Sequence, residues 1–388
     1  MQYRQFGKLD FKPSALGFGC MRFPTRDGKI DRPEAGKMLQ YAIERGVNYL
    51  DTAYPYHGGE SESLVGDFLA GGYRDRVKLA TKMPVWLVNS AADFDRLLNE
   101  QLQKLRTDVI DFYLLHALDK EAWHKVRDLG VLDWAEKAMA DGRFRYLGFS
   151  FHDDFAAFRE IVDAYDRWTM CQIQYNYIDI ASRECVRYGA DKGLAVVVME
   201  PLLGGSLVNP PESIRAVWEA APQQRSAAAW GLQWLWNQPE VSLILSGMST
   251  MAQVEENLAA AANSGVNILS PAELEMFDRV RELYRSLRVI PCTRCEYCQP
   301  CPNGVSIPRN LNIYNEGLMY DKPEKARGEY DWMIQSLKLG IADHDERAAI
   351  CTGCGICETK CPQKIPIAAW LRVIDAVLGQ GKEFRKSL

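Results

Sequence analysis

The amino-acid sequence predicts an α/β protein: a (β/α)8 TIM barrel followed by a small, mostly α-helical domain. Up to about residue 265, short apolar runs alternate with helical stretches in units of thirty-odd residues, and eight such units close a barrel. From Cys292 onward, the chain becomes rich in cysteine, proline and glycine. We expect the barrel over 1–270, a helical linker over 271–290 and the second domain over 291–388.

The barrel strands are predicted from apolar runs of strand length. A doubly wound sheet is the structural alternative, but no Gly-x-Gly-x-x-Gly motif opens a helix. After a short N-terminal hairpin, the strands are expected within 14–23 and at 47–53, 77–83, 109–115, 144–150, 169–175, 194–201 and 241–246. Helices are expected after Asp31 and at 94–105, 132–140, 155–165, 254–262, 271–287, 330–339 and 368–378.

Composition and charge exclude some functions. A formal net charge of -5 gives no general attraction to nucleic acid. The N-terminus has no secretory apolar core, and no charge-free apolar run is long enough to span a bilayer. We therefore predict a cytoplasmic protein without nucleic-acid or membrane partners. In that reducing compartment, 11 cysteines indicate metal or redox chemistry rather than disulfides.

Eight cysteines form two four-cysteine runs, each followed by proline, with the spacing of ferredoxin iron–sulfur ligands. The second run matches that spacing fully, whereas the first is one residue short between its last two cysteines. Two [4Fe–4S] clusters are predicted, and the fourth cysteine of each run is a candidate ligand of the other cluster. The runs are Cys292, Cys295, Cys298 and Cys301, and Cys351, Cys354, Cys357 and Cys361.

Two structural zinc sites are the alternative for these runs, although four-cysteine runs ending in Cys-Pro differ from the paired spacing of zinc ribbons. About fifty residues and an amphipathic helix separate the runs, so the domain resembles an α-helical ferredoxin. The remaining cysteines, Cys20, Cys171 and Cys185, are interpreted as small buried hydrophobes.

Four polar residues follow apolar strand runs in the first half of the chain. Asp51 and Tyr56 come after one predicted strand, Lys82 ends the next, and His116 ends the third. Singly, they would be explained as a helix cap, a rim aromatic, a surface lysine and a core histidine. Together they indicate a site, because the carboxyl ends of barrel strands meet at one face, where catalytic residues lie.

This set, together with Ser150, Gln172 and Asn257, resembles the aldo-keto reductase family over about residues 1–265. The resemblance implies that Tyr56 is the general acid for carbonyl reduction, that Lys82 and Asp51 tune it, and that His116 orients the carbonyl. A phenol is a poor acid at neutral pH unless a cation stabilises its phenolate, and Lys82 is the expected cation. His57 is interpreted as a loop residue and Trp86 as a wall of the substrate pocket.

The resemblance also implies nicotinamide binding. Ser150 and Gln172 would hold the carboxamide, and the loop after the eighth strand would hold the phosphates and adenosine. Several positions depart from the family: Phe151 replaces an Asn, Met199 replaces the Tyr that stacks on nicotinamide, and Glu200 follows it. Gly247 and Gln253 replace the Lys and Arg that hold a 2′-phosphate, so NADH should serve at least as well as NADPH. The remaining candidate cofactor contacts are Ser246, Met248, Thr250, Glu256 and Asn257.

The leading interpretation is an oxidoreductase that reduces a small-molecule carbonyl, or oxidises an alcohol, with NAD(P)H and carries a two-cluster electron-transfer module. A second enzymatic interpretation replaces free nicotinamide with flavin. The non-enzymatic interpretation is an electron-transfer or redox-sensing subunit whose barrel does not turn over a carbonyl. A ferredoxin, a flavodoxin or another flavoprotein is the expected electron partner.

Overall fold

The computed structural model describes residues 1–339 and 342–388. Its centre is a closed barrel of eight parallel strands, in the order β1-β10-β9-β8-β7-β6-β5-β4, beside a separate two-stranded hairpin. The strands are β1 Leu16–Gly19, β2 Thr25–Arg26, β3 Lys29–Ile30, β4 Tyr49–Asp51, β5 Lys78–Pro84, β6 Ile110–Leu118, β7 Phe144–Phe151, β8 Met170–Gln174, β9 Ala195–Met199 and β10 Val241–Gly247. The predicted (β/α)8 barrel is confirmed.

Helices alternate with the barrel strands, as the sequence indicates. They are α1 Arg32–Glu44, α2 Glu60–Ala70, α3 Ala92–Leu105, α4 Lys120–Asp128, α5 Val131–Ala140, α6 Phe155–Asp163, α7 Arg183–Asp191, α8 Glu212–Glu219, α9 Ala227–Trp236, α10 Met251–Ala262 and α11 Pro271–Ser286. Four further helices follow the first cysteine run: α12 Ile307–Met319, α13 Pro323–Lys338, α14 Ile356–Lys360 and α15 Ile367–Ile374.

The barrel interior is a packed core, which explains why its strands consist of nearly continuous apolar residues. Phe6 from the N-terminal segment lies inside it, with its ring centroid 5.1 Å from that of Phe112 on β6 and 5.8 Å from that of Tyr49 on β4. Because this core fills the barrel, polar side chains at the strand ends are the ones free for chemistry.

The chain divides into two compact units: residues 1–205 with 228–271, and residues 206–227 with 272–388. Helix α8 therefore belongs to the second unit together with α11, where the ring of Trp218 lies 5.0 Å from that of Phe277. The boundaries after 270 and 290 stay a prediction.

The second unit contains helices that were not expected from the sequence, namely α8, α12 and α14. One helix was expected between the cysteine runs, at 330–339, but α12 and α13 both lie there. Each has proline in its first turn, a position where the missing N–H costs nothing. The chain before α12 is rich in Cys, Pro and Gly, which are typical of a loop, so the start of this helix was not predicted. Its buried residues, among them Leu311 and Tyr314, share a core with Trp370 and Leu371 of α15.

Candidate active site and cluster centres

The barrel brings the four predicted catalytic residues to the carboxyl ends of adjacent strands. Asp51 is the last residue of β4, Lys82 lies near the end of β5, and His116 lies near the end of β6. Tyr56 begins a short 3-10 turn just beyond β4. Parallel pairing aligns these strands, with Asp51 beside Ala80. Residues that are far apart in the sequence thus share one face of the barrel.

Lys82 is the centre of this group. Its Nζ lies 2.6 Å from Asp51 Oδ1, 2.8 Å from the Thr52 carbonyl oxygen and 3.3 Å from Tyr56 Oη. The side chains of Lys82 and Asp51 are only 1% and 3% exposed, so water screens their charges very little. Three of the four predicted residues therefore form one hydrogen-bonded unit.

Lys82 and Asp51 each stabilise the charged form of the other. Burial lowers the pKa of Lys82, but Asp51 and Tyr56 outweigh it, and the pKa of Lys82 ends above its ordinary value. Burial raises the pKa of Asp51, and Lys82 opposes that rise. Removing either partner would leave a buried charge unpaired, a change that typically costs 3–5 kcal/mol.

The phenol of Tyr56 experiences two opposing effects. Burial raises its pKa above the ordinary value, and the nearby Lys82, the expected cation, opposes this only in part. Desolvation of the phenolate therefore outweighs the attraction of the cation in this structure. Tyr56 keeps its proton at neutral pH, which is the form that a proton donor needs.

His116 lies between two aromatic rings over the same face. Its ring centroid is 6.2 Å from that of Tyr56, edge-on, and 5.1 Å from that of Trp86. Burial lowers the pKa of His116 well below its ordinary value, and Lys82 and His152 lower it further. The imidazole is thus neutral. Its buried Nδ1 has no hydrogen-bond partner within residues 1–339 and 342–388.

The depressed pKa of His116 predicts a pH effect on stability. Below pH values of about 6.5, the ordinary pKa of histidine, His116 takes up a proton in the unfolded chain but stays neutral in the folded chain. The free energy of unfolding is therefore highest above this pH and decreases as the pH falls toward the pKa of the folded state. We expect a smaller loss in His116→Asn than in the wild type, measured by urea denaturation at pH values above and below this point. His124→Asn, on α4, is the matched control, and identical pH profiles for wild type and His116→Asn would contradict the prediction.

Ser150, Gln172 and Met199 lie on three neighbouring strands of the barrel, β7, β8 and β9. Ser150 pairs in register with Gln172, and its Oγ accepts a 2.7 Å hydrogen bond from the Ala117 N–H. Gln172 Nε2 lies 3.7 Å from Met199 Sδ, and its buried Oε1 has no partner in the described part of the chain. Glu200 follows with a φ of 51°, and its carbonyl accepts from Asn176 Nδ2 at 3.3 Å. These groups lie together, as predicted.

The predicted phosphate and adenosine residues lie in the loop after β10 and the first turns of α10. Asn257 Nδ2 donates to Ser246 Oγ at 2.9 Å, and Thr250 caps α10 by accepting from the Gln253 N–H. Gln253 Oε1 in turn accepts from the Ser249 N–H at 2.7 Å. Glu256 is exposed on the same helix.

Met248, a predicted cofactor contact, and His57, the residue after Tyr56, both make their contacts within the protein. Met248 is completely buried, so it presents no surface to a ligand in this structure. His57 lies in the short turn after β4, in agreement with its interpretation as a loop residue. Its Nε2 accepts the Phe23 N–H at 3.1 Å, and its ring stacks on that of Phe23.

A buried polar network that was not expected from the sequence lies behind Lys82. Gln101 of α3 donates to the Lys82 carbonyl at 3.0 Å and to Glu62 Oε1 of α2 at 2.5 Å, and Thr81 also donates to Glu62. Glu62 and Gln101 are fully buried. Polar residues within the apolar stripes of α2 and α3 were the available signal. The network holds the backbone of β5, and therefore positions Lys82.

The eight cysteines of the two runs line two small cavities. Within the described part of the chain, no three His, Cys, Asp or Glu side chains converge on a point for a single metal ion; the thiols instead line cavities. The first cavity is lined by Cys292, Cys295, Cys298 and Cys361. The second is lined by Cys301, Cys351, Cys354 and Cys357, and also by Cys298, which both cavities share.

This arrangement supports the crossed pattern, in which the fourth cysteine of each run joins three cysteines of the other. The first cavity has four thiols, and the second has four of its own besides the shared Cys298. Both have aliphatic walls, including Leu311 in the first and Leu371 in the second, and such donor sets suit [4Fe–4S] clusters. Burial raises the pKa of the Cys298 thiol to about 11. Because iron binds thiolates, cluster assembly would release such protons.

The three cysteines outside the runs, Cys20, Cys171 and Cys185, are buried, as predicted. Burial raises the pKa of each thiol, so none of them is an activated nucleophile.

Comparison with known proteins identifies both parts of the chain. Residues 15–281 match the Aldo/keto reductase family. The chain belongs to this family. Residues 291–366 match a 4Fe-4S dicluster domain, which favours iron–sulfur clusters over the zinc alternative. This aldo/keto reductase therefore has a C-terminal domain of the two-cluster type, as its cysteine runs predicted.

Similar proteins cover the barrel. The chain is 29% identical over 280 residues to 6-dehydroglucose reductase of Novosphingobium aromaticivorans, covering 66% of this chain and 90% of that protein. It is 25% identical over 283 residues to L-galactose dehydrogenase of Arabidopsis thaliana, covering 67% and 88%. Among solved structures, it resembles the holo form of an aldo-keto reductase from Bacillus halodurans, with 27% identity, a TM-score of 0.62, and coverage of 72% of this chain and 96% of that one.

Within residues 1–339 and 342–388, this aldo/keto reductase has no helix that is both long and apolar enough to cross a membrane.

Proposed function

We propose that this aldo/keto reductase interconverts a small-molecule carbonyl and its alcohol, with a nicotinamide dinucleotide as the hydride carrier. The observation that carries the proposal is the contact of Lys82 Nζ with both Asp51 Oδ1, at 2.6 Å, and Tyr56 Oη, at 3.3 Å, at the carboxyl end of the barrel. Relatives named as a reductase and a dehydrogenase of sugars support the same carbonyl–alcohol chemistry.

The residues at the strand ends fit a nicotinamide. Gln172 has a buried Oε1 without a partner in the described chain, and this oxygen can accept from a carboxamide NH₂. The Oγ of Ser150 already accepts the Ala117 N–H, which leaves its own hydrogen available to a carboxamide oxygen. Such a cofactor supplies a hydride, that is, two electrons without a proton.

The protein supplies the proton. Tyr56 is protonated at neutral pH and donates from Oη to the carbonyl oxygen as the carbonyl carbon receives the hydride, so that the product is the alcohol. The Tyr56 phenolate that remains is stabilised by Lys82, whose charge is held by Asp51. Neutral His116 donates a hydrogen bond to the same oxygen and polarises the carbonyl. In the alcohol-oxidising direction, each transfer is reversed.

The loop after β10 predicts cofactor choice. Neither Gly247 nor Gln253 is a cation, and Gln253 Oε1 is already held by the Ser249 N–H. A 2′-phosphate therefore gains no charge-assisted hydrogen bond from these positions, so NADH should bind at least as well as NADPH. Titration of both nucleotides by fluorescence measures this. Gln253→Arg should improve NADPH affinity by about tenfold, since a bond to a charged group contributes about 1.5–3 kcal/mol, and leave NADH nearly unchanged. A strong NADPH preference in the wild type would contradict the prediction.

We further propose that the C-terminal domain carries two [4Fe–4S] clusters that exchange electrons with a ferredoxin, a flavodoxin or another flavoprotein. The support is the pair of cysteine-lined cavities and the match to a 4Fe-4S dicluster domain. A cluster moves one electron at a time and nicotinamide moves a pair, so an intermediary such as a flavin is required to couple them.

Met199 and Glu200 favour a second candidate, in which the barrel itself binds flavin. Met199 ends β9 beside Gln172, where a stacking tyrosine is the family pattern. Anaerobic purification, a visible spectrum and extraction of bound cofactors separate the two candidates. Aldehyde reduction by NADH with no bound flavin supports the first candidate. A stoichiometric flavin, with no turnover by free nicotinamide, supports the second.

A further inference from the structure

Ser61, in the first turn of α2, joins the ends of two neighbouring barrel strands. Its Oγ donates a 2.9 Å hydrogen bond to the carbonyl of Cys20, just after β1, and lies 2.9 Å from the Oγ1 of Thr52, just after β4. All three residues are fully buried. A serine hydroxyl has a single hydrogen, and that of Ser61 goes to Cys20. Thr52 is therefore the donor in the contact between the two hydroxyls.

The backbone of Thr52 holds the Lys82 ammonium directly. An ammonium group has three N–H donors. Two of those of Lys82 donate to Asp51 Oδ1, at 2.6 Å, and to the Thr52 carbonyl, at 2.8 Å. Tyr56 Oη, at 3.3 Å, takes the third. Because two bonds of a tetrahedral group fix the direction of the third, the contact with Tyr56 depends on where the Thr52 carbonyl lies.

From this geometry we infer that Ser61 is a positioning residue, which acts through Thr52 to aim the Lys82 ammonium at the proton donor. The inference rests on the proposed function. In the described part of the chain, the Ser61 hydroxyl bonds only to Cys20 and Thr52, so it touches no reacting group. Its effect is on orientation: a displaced ammonium stabilises less well the Tyr56 phenolate, which remains after proton donation and accepts the proton in alcohol oxidation.

Ser14 provides a matched control at the amino ends of the same two strands. It is fully buried, and its Oγ donates to the Leu16 carbonyl at 2.7 Å and accepts the Asn48 N–H at 3.2 Å. Ser14 precedes β1 and Asn48 precedes β4. Removing the hydroxyl of Ser14 or of Ser61 leaves buried partners without a hydrogen bond, so both changes cost folding stability. Only Ser61 lies on the side of the barrel that holds Lys82.

Aldehyde reduction and alcohol oxidation by the intact protein, together with titration of NADH, test the inference. We expect Ser61→Ala to lower kcat about tenfold, as for the loss of one good hydrogen bond, and to leave NADH affinity unchanged. The pH at which alcohol oxidation reaches half of its maximal rate should rise, because Lys82 lowers the pKa of Tyr56 and would do so less. Ser14→Ala should match the wild type in rate and pH profile. Melting temperatures show that each variant is folded during the assay.

Thr52 provides a second test that leaves Ser61 in place. Thr52→Val removes the hydroxyl but keeps the branched shape and the carbonyl, and it should reproduce the lower kcat and the shifted pH profile. Thr52→Ser keeps the hydroxyl and should restore most of the wild-type rate. This pair decides the question if Ser61→Ala does not fold. Equal kinetics for Thr52→Val and Thr52→Ser, or a folded Ser61→Ala that behaves as Ser14→Ala does, overturns the inference.

Nuclear magnetic resonance of protein labelled with nitrogen-15 lysine needs no turnover and so separates this inference from the proposed function. The resonance of the Lys82 ammonium is assigned by its absence in Lys82→Arg. It should shift in Ser61→Ala and stay in place in Ser14→Ala. If the shift occurs but the wild type reduces no carbonyl, Ser61 still positions Lys82 and the proposed function fails. If the resonance does not move in Ser61→Ala, the inference is wrong and the proposed function stands.

Discussion

Replacing Tyr56 with phenylalanine should lower the rate of carbonyl reduction by about 10²-fold to 10⁴-fold, the usual contribution of general acid catalysis. The change removes the hydroxyl that is the proton donor of the proposed mechanism while keeping the ring that packs against His116. Nucleotide affinity should stay nearly the same, since the cofactor residues lie on other strands. Steady-state assays with simple aldehydes and NADH, combined with nucleotide titration, measure both quantities.

Tyr54→Phe is the matched control for this experiment. Tyr54 lies two residues before Tyr56, and its hydroxyl donates to Glu100 on α3 rather than to the Lys82 group. It should therefore retain most of the wild-type turnover. If Tyr56→Phe turned over nearly as fast as the wild type, Tyr56 would not be the proton donor, whatever the result for Tyr54→Phe.

Replacing Cys354 with serine should remove the cluster of the second cavity and, with it, half of the protein's capacity for one-electron reduction. Cys354 is one of the thiols that line this cavity, and it is exposed. Anaerobic titration with a low-potential reductant, followed by electron paramagnetic resonance and iron analysis, should show two reducible clusters in the wild type and one in the variant. Adding substrate should reoxidise the wild-type clusters if they feed the barrel reaction.

Cys185→Ala is the matched control, because Cys185 is a buried thiol of the barrel unit outside both cavities. It should keep all of its iron and both reducible clusters. Electron transfer is the wrong function for these clusters if the wild type cannot be reduced. It is also wrong if Cys354→Ser unfolds the domain but leaves barrel turnover unchanged with every electron donor, since the clusters would then only stabilise the fold.

The barrel and the cysteine runs could be predicted because their signals are local. A buried parallel strand is a short apolar run, and Asp51, Lys82 and His116 each end or follow such a run. Because a closed barrel aligns the carboxyl ends of its strands, the order of the runs was enough to place these side chains at one face. Cysteine spacing likewise indicated iron–sulfur ligands before any contact was known.

Features that depend on contacts between distant segments could not be predicted in this way. Helix α12 was hidden because proline and glycine around the cysteine run resemble a loop, although its buried face is stabilised by packing on α15. The same holds for Met248, which follows β10 directly and looks like a loop residue in the sequence but is completely buried.

By itself, the sequence determined the order of the barrel strands, the identity of the four residues at the barrel face and the number of thiols available to clusters. Only the tertiary structure decided the raised pKa of Tyr56, the distribution of Cys301 and Cys361 between the two cavities, and the burial of Met248. The physical reason is the same in each case. Periodicity and spacing act between neighbours in the chain, whereas desolvation, cavity lining and the burial of a loop residue arise from segments that meet only when the chain folds.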